Sequence, residues 1–188
     1  MYIAHSHVLL DACCVLNFCA SGNLLAILQA MPAQVAVTLV VQEHELRTLQ
    51  RLKEEENEGA AQFEAAIAQG LIIIVDFESE EEEESFLNYA AIIDDGESAI
   101  CAIAFHRGWA IATDDKKAVS FFKREAPHLQ ILSTPEIIKH WSEAAGLDSS
   151  ALRDALIAIR DKGRYSPKNH PLQSWWEAAS TDVEQQNA

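Results

Sequence analysis

The chain has 188 residues, of which 49% are hydrophobic and 23% are charged, a composition typical of one globular domain. At this length folding buries roughly 70% of the unfolded surface, so stability does not require a disulfide or a structural metal. The formal net charge of −15 argues against a uniformly basic surface for duplex nucleic acid, while it leaves room for carboxylates that bind a cation.

The cysteines and the amino-terminal stretch bear on the cellular compartment. The four cysteines form no CxxC pair, and three of them share one apolar segment (Cys13, Cys14 and Cys19, with Cys101 apart). We interpret them as free thiols in a reducing cytosol. Residues 1–14 lack a basic region and no apolar run reaches the length of a membrane span, so we expect a cytoplasmic protein without a signal peptide or membrane partner.

The first half of the chain alternates apolar runs that favour strands with periodic segments that favour helices. Residues 8–11 form a short predicted strand that ends on Asp11. Predicted helices follow over residues 12–20 and 24–31. The β-branched run 35–41 is typical of a central parallel strand covered on both faces, and Glu43 comes at the start of the next predicted helix.

The second half continues this alternation, with predicted strands over residues 71–75, 109–113 and 129–132. Predicted helices cover residues 60–69, 86–93, 116–125, 135–146 and 149–163, and one more begins near Glu97. Thr134 is the predicted cap of the helix 135–146, and the stretch that begins at Asp148 is the predicted cap of the next one. The run 76–84 holds seven acids in nine residues, which we interpret as a solvated loop and first helical turn. Five strands alternating with helices predict a three-layer α/β/α fold with a five-stranded, mostly parallel sheet. Residues 1–146 form the predicted domain, and 147–188 a helix and tail packed on it.

Four acids occupy equivalent places at strand–helix junctions: Asp11, Glu43, Glu97 and Asp115. In an open parallel sheet the carboxyl ends of the strands and the starts of the helices share one edge, where such folds bind ligands. Carboxylates gathered there would repel one another unless a cation neutralised them. Ligands that are all oxygen select hard ions, so one or two Mg²⁺ or Mn²⁺ ions are predicted.

Each of these acids also has a structural interpretation as a helix cap or as a favourable charge at a helix start. Glu45 competes with Glu43, and Asp114 competes with Asp115 as a metal ligand. Asp94 and Asp95 are further alternatives. Singly these signals are weak, and their joint placement at four junctions is the basis of the prediction.

The same residues resemble the PIN-domain superfamily, in particular the VapC-like toxin ribonucleases and their relatives. The resemblance rests on four segments in the family's order, within residues 8–133: LLDACCVLN, VVQEHEL, GESAICAIA and WAIATDDKKA. In the last of them Thr113 and Asp115 look like the family's T-x-D motif, and in the first Asn17 follows Asp11 by six residues. The resemblance implies a five-stranded α/β/α fold and a metal-dependent endoribonuclease acting on structured RNA. It also implies a homodimer and, in many relatives, a small antitoxin protein.

The resemblance further implies a role for each site residue. Asp11, Glu43, Glu97 and Asp115 would bind the metal and be catalytic, with Asp114 as a further ligand. Asn17, Thr113 and Lys116 would support them. A water activated by the ions would attack the phosphodiester in line and leave a 5′-phosphate and a 3′-hydroxyl. Cys13 departs from the pattern, because the family often has Ser or Thr at this place.

An alternative function is a PIN-fold binding or regulatory module with little catalytic activity. The acidic run at 80–84 would then dock a basic protein partner. Basic residues that could hold RNA nevertheless occur in two groups, although each could be a solvated helix face: Lys116, Lys117, Lys123 and Arg124, and then Arg153, Arg160, Lys162, Arg164 and Lys168.

Overall fold

A five-stranded sheet, all of whose strands are parallel, forms the centre of the molecule in the computed structural model, which describes residues 1–46 and 58–181. The strands are β1 (His7–Leu10), β2 (Gln34–Thr38), β3 (Ile72–Val75), β4 (Ala110–Ala112) and β5 (Ile131–Leu132). They lie in the order β3-β2-β1-β4-β5. The predicted α/β fold class is therefore confirmed.

Helices connect the strands and follow the last one. In the described part they are α1 (Ala12–Ala20), α2 (Leu24–Gln29), α3 (Glu58–Ala68), α4 (Glu80–Ala90), α5 (Asp95–Arg107), α6 (Lys116–Glu125), α7 (Thr134–Ala144), α8 (Ser149–Asp161) and α9 (Gln173–Ser180). Several begin at the predicted side-chain caps. Asp115 and Asp148 accept hydrogen bonds from the first turns of α6 and α8. Helix α7 begins one residue earlier than expected, with Ser133 as its cap and Thr134 as its first residue.

The helices form two layers that enclose the sheet. On one face α1, α2 and α3 contact one another, and the C-terminal helices α7 and α8 contact α2 and α1. On the other face α5 packs on β1, β2 and β4, and α4 lies along α5. Helix α5 is buried along most of its length, which explains its nearly continuous run of small and apolar residues.

The connection after β2 differs from the prediction. The strand ends at Thr38 instead of continuing to Val41, and the chain enters a π-helical turn (Val41–Glu45). Thr38 helps to end the strand, because its hydroxyl accepts a hydrogen bond from the Val41 backbone at 3.2 Å. The continuation of the helix predicted after Glu43 falls in residues 47–57, outside the described part.

The C-terminal segment packs on the core of the domain. Leu156 and Ile159 of α8 are fully buried, and Trp176 of α9, a helix that was not predicted, is buried as well. Gly163 allows the close approach to α1, because a Cβ there would lie 2.9 Å from Asn17 Oδ1. Within residues 1–46 and 58–181, no helix combines the length and the apolar character needed to cross a bilayer.

Candidate metal centre

The candidate site lies where β1 and β4 end side by side. The chain leaves these two strands in opposite directions across the sheet, so their carboxyl ends flank the point at which parallel α/β sheets bind ligands. Asp11 directly follows β1, and Thr113, Asp114 and Asp115 directly follow β4. Helix α5 runs back towards the start of β4, so Glu97 in its first turn reaches the same edge.

Asp11 is a buried carboxylate that faces the site. It occupies the cap position of α1, but within the described residues its side chain makes no capping hydrogen bond. Its Oδ2 instead accepts from Thr113 Oγ1 at 2.6 Å and from Cys13 Sγ at 3.0 Å. Burial raises the pKa of Asp11 and the charge of Asp94 raises it further, while the bonds from Thr113 and Cys13 lower it.

Thr113 joins the ends of the two strands. Its hydroxyl donates to Asp11 and accepts from the Asp115 backbone N–H at 3.1 Å. Asp115 in turn caps α6 through Oδ1, which accepts from the backbone of Lys117 at 2.7 Å and of Ala118 at 2.9 Å. The capping interpretation of Asp115 is therefore correct, and it is compatible with a second role because both bonds use one oxygen.

Glu97 is a buried carboxyl group surrounded by other acids of the site. Only 7% of the residue is exposed, and burial together with the charges of Asp94, Asp115 and Asp11 raises its pKa to about 7. A hydrogen bond from the Asp94 backbone acts in the opposite direction. Asp94 caps α5 by accepting from the Glu97 N–H at 2.9 Å. Four carboxylates therefore interact electrostatically at this edge, those of Glu97, Asp94, Asp115 and Asp11. From the sequence, Asp94 was predicted only as an alternative metal ligand.

Glu43 stands at the margin of this group. Its π-helical turn packs against α5, which carries Glu97, and against α1, which directly follows Asp11. The Glu43 residue itself is exposed. It is not among the main causes of the raised pKa of Glu97 or Asp11. The side chain of Glu45, its competitor, lies outside the described part. The assignment of Glu43 as a ligand stays a prediction.

Asp114 is held by protein donors on both oxygens. Its Oδ1 accepts from the Thr134 backbone at 3.0 Å and from the Tyr165 hydroxyl at 2.9 Å, and its Oδ2 accepts from Asn17 Nδ2 at 3.2 Å. Burial raises the pKa of Asp114, and the bonds from Thr134 and Tyr165 lower it. Asp114 and Asn17 therefore link β4, α1, α7 and the C-terminal segment beneath the site.

A second group of possible ligand atoms lies beside this network. Cys13, Cys14 and Asp114 each offer an atom within 4.8 Å of the others. A hydrogen bond with Cys13 and burial raise the pKa of the Cys14 thiol well above its usual value. Its sulfur accepts from Thr134 Oγ1 at 3.5 Å and lies 4.0 Å from Asp114 Oδ2, so we interpret this group as hydrogen-bonded support. The four cysteines are free, and Cys14, Cys19 and Cys101 are buried.

Three contributors to the site were not predicted as such. Tyr165 belongs to a C-terminal stretch without a recognisable motif, and Thr134 was expected only to cap a helix. Cys13 was expected to provide no support to the site, because it stands in place of a Ser or Thr hydroxyl. Its thiol nevertheless donates to Asp11, and its sulfur accepts from the Asp114 N–H at 3.4 Å. Short-range sequence patterns could not reveal these contacts, because Tyr165 and Asp114 are 51 residues apart.

The donor set fits a hard divalent cation. The charged groups that raise the pKa of Glu97 are all carboxylates, the ligands that Mg²⁺ and Mn²⁺ prefer. A dication among them would reverse the repulsion that raises the pKa of Glu97.

The chain was also compared with known proteins. No model of a known protein family matches the sequence, and no curated protein matches it either. The function must therefore be inferred from the site itself.

Proposed function

We propose that the protein is a cytoplasmic, Mg²⁺- or Mn²⁺-dependent endoribonuclease of PIN type that hydrolyses RNA phosphodiester bonds. The observation that supports the proposal is the buried Glu97, whose pKa is raised to about 7 by burial and by three neighbouring carboxylates. One of these belongs to Asp94, the cap of the same helix, and the other two belong to Asp115 and Asp11. Such a cluster is unfavourable by itself and becomes favourable with a bound dication.

The residues of the chain would divide the work as follows. Asp11, Glu97 and Asp115, with Glu43 from the adjoining turn, would hold one or two ions, and Thr113 would keep Asp11 in one orientation through its 2.6 Å hydrogen bond. When bound, a divalent ion supplies a nucleophilic hydroxide near neutral pH and stabilises charge on the phosphate. Glu97 must lose its proton before it can act as a ligand.

Replacement of one buried carboxylate tests this proposal. Asp11→Asn keeps the shape of the side chain and removes the charge, so we expect Mn²⁺-dependent cleavage of a structured RNA to be abolished while the circular dichroism spectrum is unchanged. Glu83→Gln is the matched control, because Glu83 is an exposed acid on α4 away from the site. Cleavage by Asp11→Asn at the wild-type rate would refute the role of Asp11.

The partners of such an enzyme are part of the proposal. The substrate is RNA, and the acidic edge would suit a small antitoxin whose basic segment covers it.

A homodimer is also proposed, since Leu87 and Ile92 are 68% and 53% exposed on neighbouring parts of the surface. Light scattering of the purified chain should give twice the monomer mass, and Leu87→Lys should give the monomer mass.

A second candidate function is the docking of a basic protein without catalysis. It is favoured by the acidic start of α4, where Glu82 is buried against Arg107 but its neighbours Glu80, Glu81, Glu83 and Glu84 are exposed. Calorimetry separates the two functions. Binding of an Arg-rich peptide without any binding of Mn²⁺ would favour docking, and Mn²⁺ binding that is lost in Asp11→Asn would favour the nuclease.

A further inference from the structure

A cavity of about 770 Å³ adjoins the candidate metal centre on the side of β5. Its walls are α6, the end of β5, the start of α7 and residues 165–171 of the C-terminal segment. This volume lies within the range of roughly 300–1,000 Å³ that is usual for small-molecule sites. Thr113 and Asp114 form part of the wall, so a ligand in the cavity would lie next to Thr113, which orients Asp11.

Three lysines line this cavity, which is unusual for a chain with a net charge of −15. Lys116 and Lys123 come from α6, and Lys168 comes from the C-terminal segment. None of them forms an ion pair with a residue of the described part, whereas Arg107, Arg124 and Lys139 all do. Three lysines in the wall of one cavity, none paired with an acid of the described part, favour an anionic ligand.

The two acids in the same wall offset these charges only in part, since the wall contains three lysines and two carboxylates. Asp114 accepts from Thr134 and Tyr165. Glu136 accepts from the Ser133 backbone at 2.9 Å and from the Ser133 hydroxyl at 2.6 Å. Asp114 accepts protein donors on both oxygens, whereas both bonds to Glu136 use Oε2. The lysines outnumber these acids and remain available to a ligand.

The wall made by the C-terminal segment is held in place by a chain of hydrogen bonds. The Leu172 N–H donates to His170 Nδ1 at 3.0 Å, so in the neutral ring the proton lies on Nε2. That nitrogen is 3.0 Å from Ser133 Oγ and donates to it, and Ser133 donates to Glu136. The segment is thereby tied to the start of α7, and the cavity exists before any ligand binds.

Apolar side chains form the rest of the surface. Val119, Leu132 and Pro167 line the cavity together with the lysines. A ligand that satisfies both parts carries an anionic group and a group that can pack on apolar side chains, as a nucleotide does with its phosphate and the face of its base. A bare phosphate would leave the apolar wall exposed to water.

We propose that this cavity binds one nucleotide of a single-stranded RNA segment beside the cleaved bond. Lys116, Lys123 and Lys168 contact its phosphate groups, and the apolar wall contacts its base. The identification of the RNA as the substrate rests on the proposed function, but binding in the cavity does not require cleavage.

Binding of a short fluorescent single-stranded RNA in EDTA, where no divalent ion is available, tests the proposal on the full chain. Loss of one phosphate contact lowers the slope of log K against log salt by about 0.7, which corresponds to about a fivefold weaker affinity at 0.1 M salt. We expect this change for Lys123→Gln and for Lys168→Gln. Lys117→Gln is the matched control, because Lys117 is exposed on the same helix but does not line the cavity.

Each result of this experiment supports or overturns the assignment. A fivefold loss at Lys123 and Lys168 with less than about a twofold loss at Lys117 supports it. Equal losses at all three lysines would mean diffuse attraction to the surface and would overturn it. If 5′-AMP displaces the RNA no better than inorganic phosphate, the contact to the base is wrong. If 5′-AMP binds but the substitutions leave RNA affinity unchanged, the cavity serves a free nucleotide and the RNA assignment is wrong.

The fate of this inference can be separated from that of the nuclease proposal. RNA that binds through the cavity lysines but is not cut in Mn²⁺ would refute the nuclease and leave the cavity assignment standing. If RNA is cleaved in Mn²⁺ and neither Lys123→Gln nor Lys168→Gln changes the KM, the cavity assignment is refuted and the nuclease proposal stands.

Discussion

At the scale of single residues, the candidate centre depends on hydroxyl and thiol groups that orient its carboxylates. Thr113 bonds to Asp11 and to the backbone of Asp115, and Cys13 gives Asp11 a second donor. A buried carboxylate with two donors on one oxygen has little freedom to rotate. The other oxygen is then presented in a fixed direction, which is what a metal ligand requires.

Replacement of Thr113 by valine removes both hydrogen bonds while nearly conserving the volume. Loss of such an outer contact typically lowers metal affinity 10- to 100-fold, so we expect about this decrease for Mn²⁺ in calorimetry. Thr113→Ser keeps the hydroxyl and should stay within about threefold of the wild type. Equal affinities for the valine and wild-type proteins would show that Thr113 does not act on the site.

The raised pKa of Glu97 predicts how stability depends on pH without metal. Glu97 has a pKa of about 7 in the folded chain and 4.5 ordinarily. Between these values the folded state binds a proton that the unfolded state has released. The contribution of Glu97 to the free energy of unfolding therefore falls as pH rises from about 4.5 to about 7 and changes no further above that pH. In EDTA, the Tm of the wild type should therefore fall over this interval relative to that of Glu97→Gln.

Divalent ions should act in the opposite sense over the same pH interval. As Glu97 loses its proton it becomes available as a ligand, so the increase in Tm caused by Mn²⁺ should grow from pH 5 to pH 8. Glu97→Gln should show a smaller increase with less dependence on pH. A metal-free difference in Tm between the two proteins that did not change with pH would contradict the environment assigned to Glu97.

At the scale of elements, one arginine holds the acidic helix α4 against α5. Arg107 at the end of α5 contacts both carboxylate oxygens of Glu82, at 2.7 and 2.8 Å. It also donates to the Asp76 carbonyl at 2.6 Å and to Glu78 at 3.1 Å. One acid of the run 80–84 is thus buried and paired, and the remaining ones stay in solvent. The same pairing keeps the start of α4 close to the end of β3.

Arg107→Ala should be strongly destabilising, because it leaves the carboxylate of Glu82 buried without a cation. Removal of one partner from a buried pair lowers the free energy of unfolding by several kcal/mol. We expect a decrease of about 3 kcal/mol in urea unfolding, at the lower end of that range, because only Glu82 is left buried without a partner and Glu78 is exposed. Arg160→Ala is the control, since Arg160 pairs with Asp161 on the exposed surface of α8. That variant should unfold at the wild-type midpoint. Similar losses for both variants would contradict the role of Glu82.

At the scale of the whole molecule, the C-terminal part completes both the core and the site. Helix α8 buries Leu156 and Ile159, and Tyr165 reaches back to Asp114 beneath the carboxylates. The cavity beside the site also takes one wall from this part. The division predicted at residue 146 therefore separates two stretches of sequence that contribute to one core.

A chain that stops at residue 146 should lose much of its stability. Each large apolar side chain removed from a core typically costs 2–5 kcal/mol, and several are removed at once. We expect no cooperative urea transition, or a midpoint far below that of the full chain. Tyr165→Phe separates packing from hydrogen bonding, because it removes only the bond to Asp114 and should cost about 1 kcal/mol. A truncated chain as stable as the full one would show that residues 147–188 are dispensable.

Local patterns in the sequence were sufficient for most of the elements up to residue 161, although α9 was not predicted. The bounds predicted for α1 and α6 agree with the structure, because apolar periodicity and caps act over a few residues. The convergence of Asp11, Glu97 and Asp115 followed from one rule, that parallel strands end at a common edge. The end of the apolar run 35–41 was predicted wrongly, since Val40 and Val41 favour a strand by their side chains but lie beyond the end of β2 at Thr38.

The α/β alternation and the acids at its junctions were predictable without coordinates, because they depend on neighbouring residues. Which acid is buried, which one caps a helix and which donors each accepts from follow from the folded arrangement. Burial and pKa depend on groups far apart in the chain, as with Thr113 and Asp11, which are 102 residues apart. The lysines around the cavity illustrate the same reason, because folding brings Lys168 beside α6 and no pattern within either segment encodes that distance.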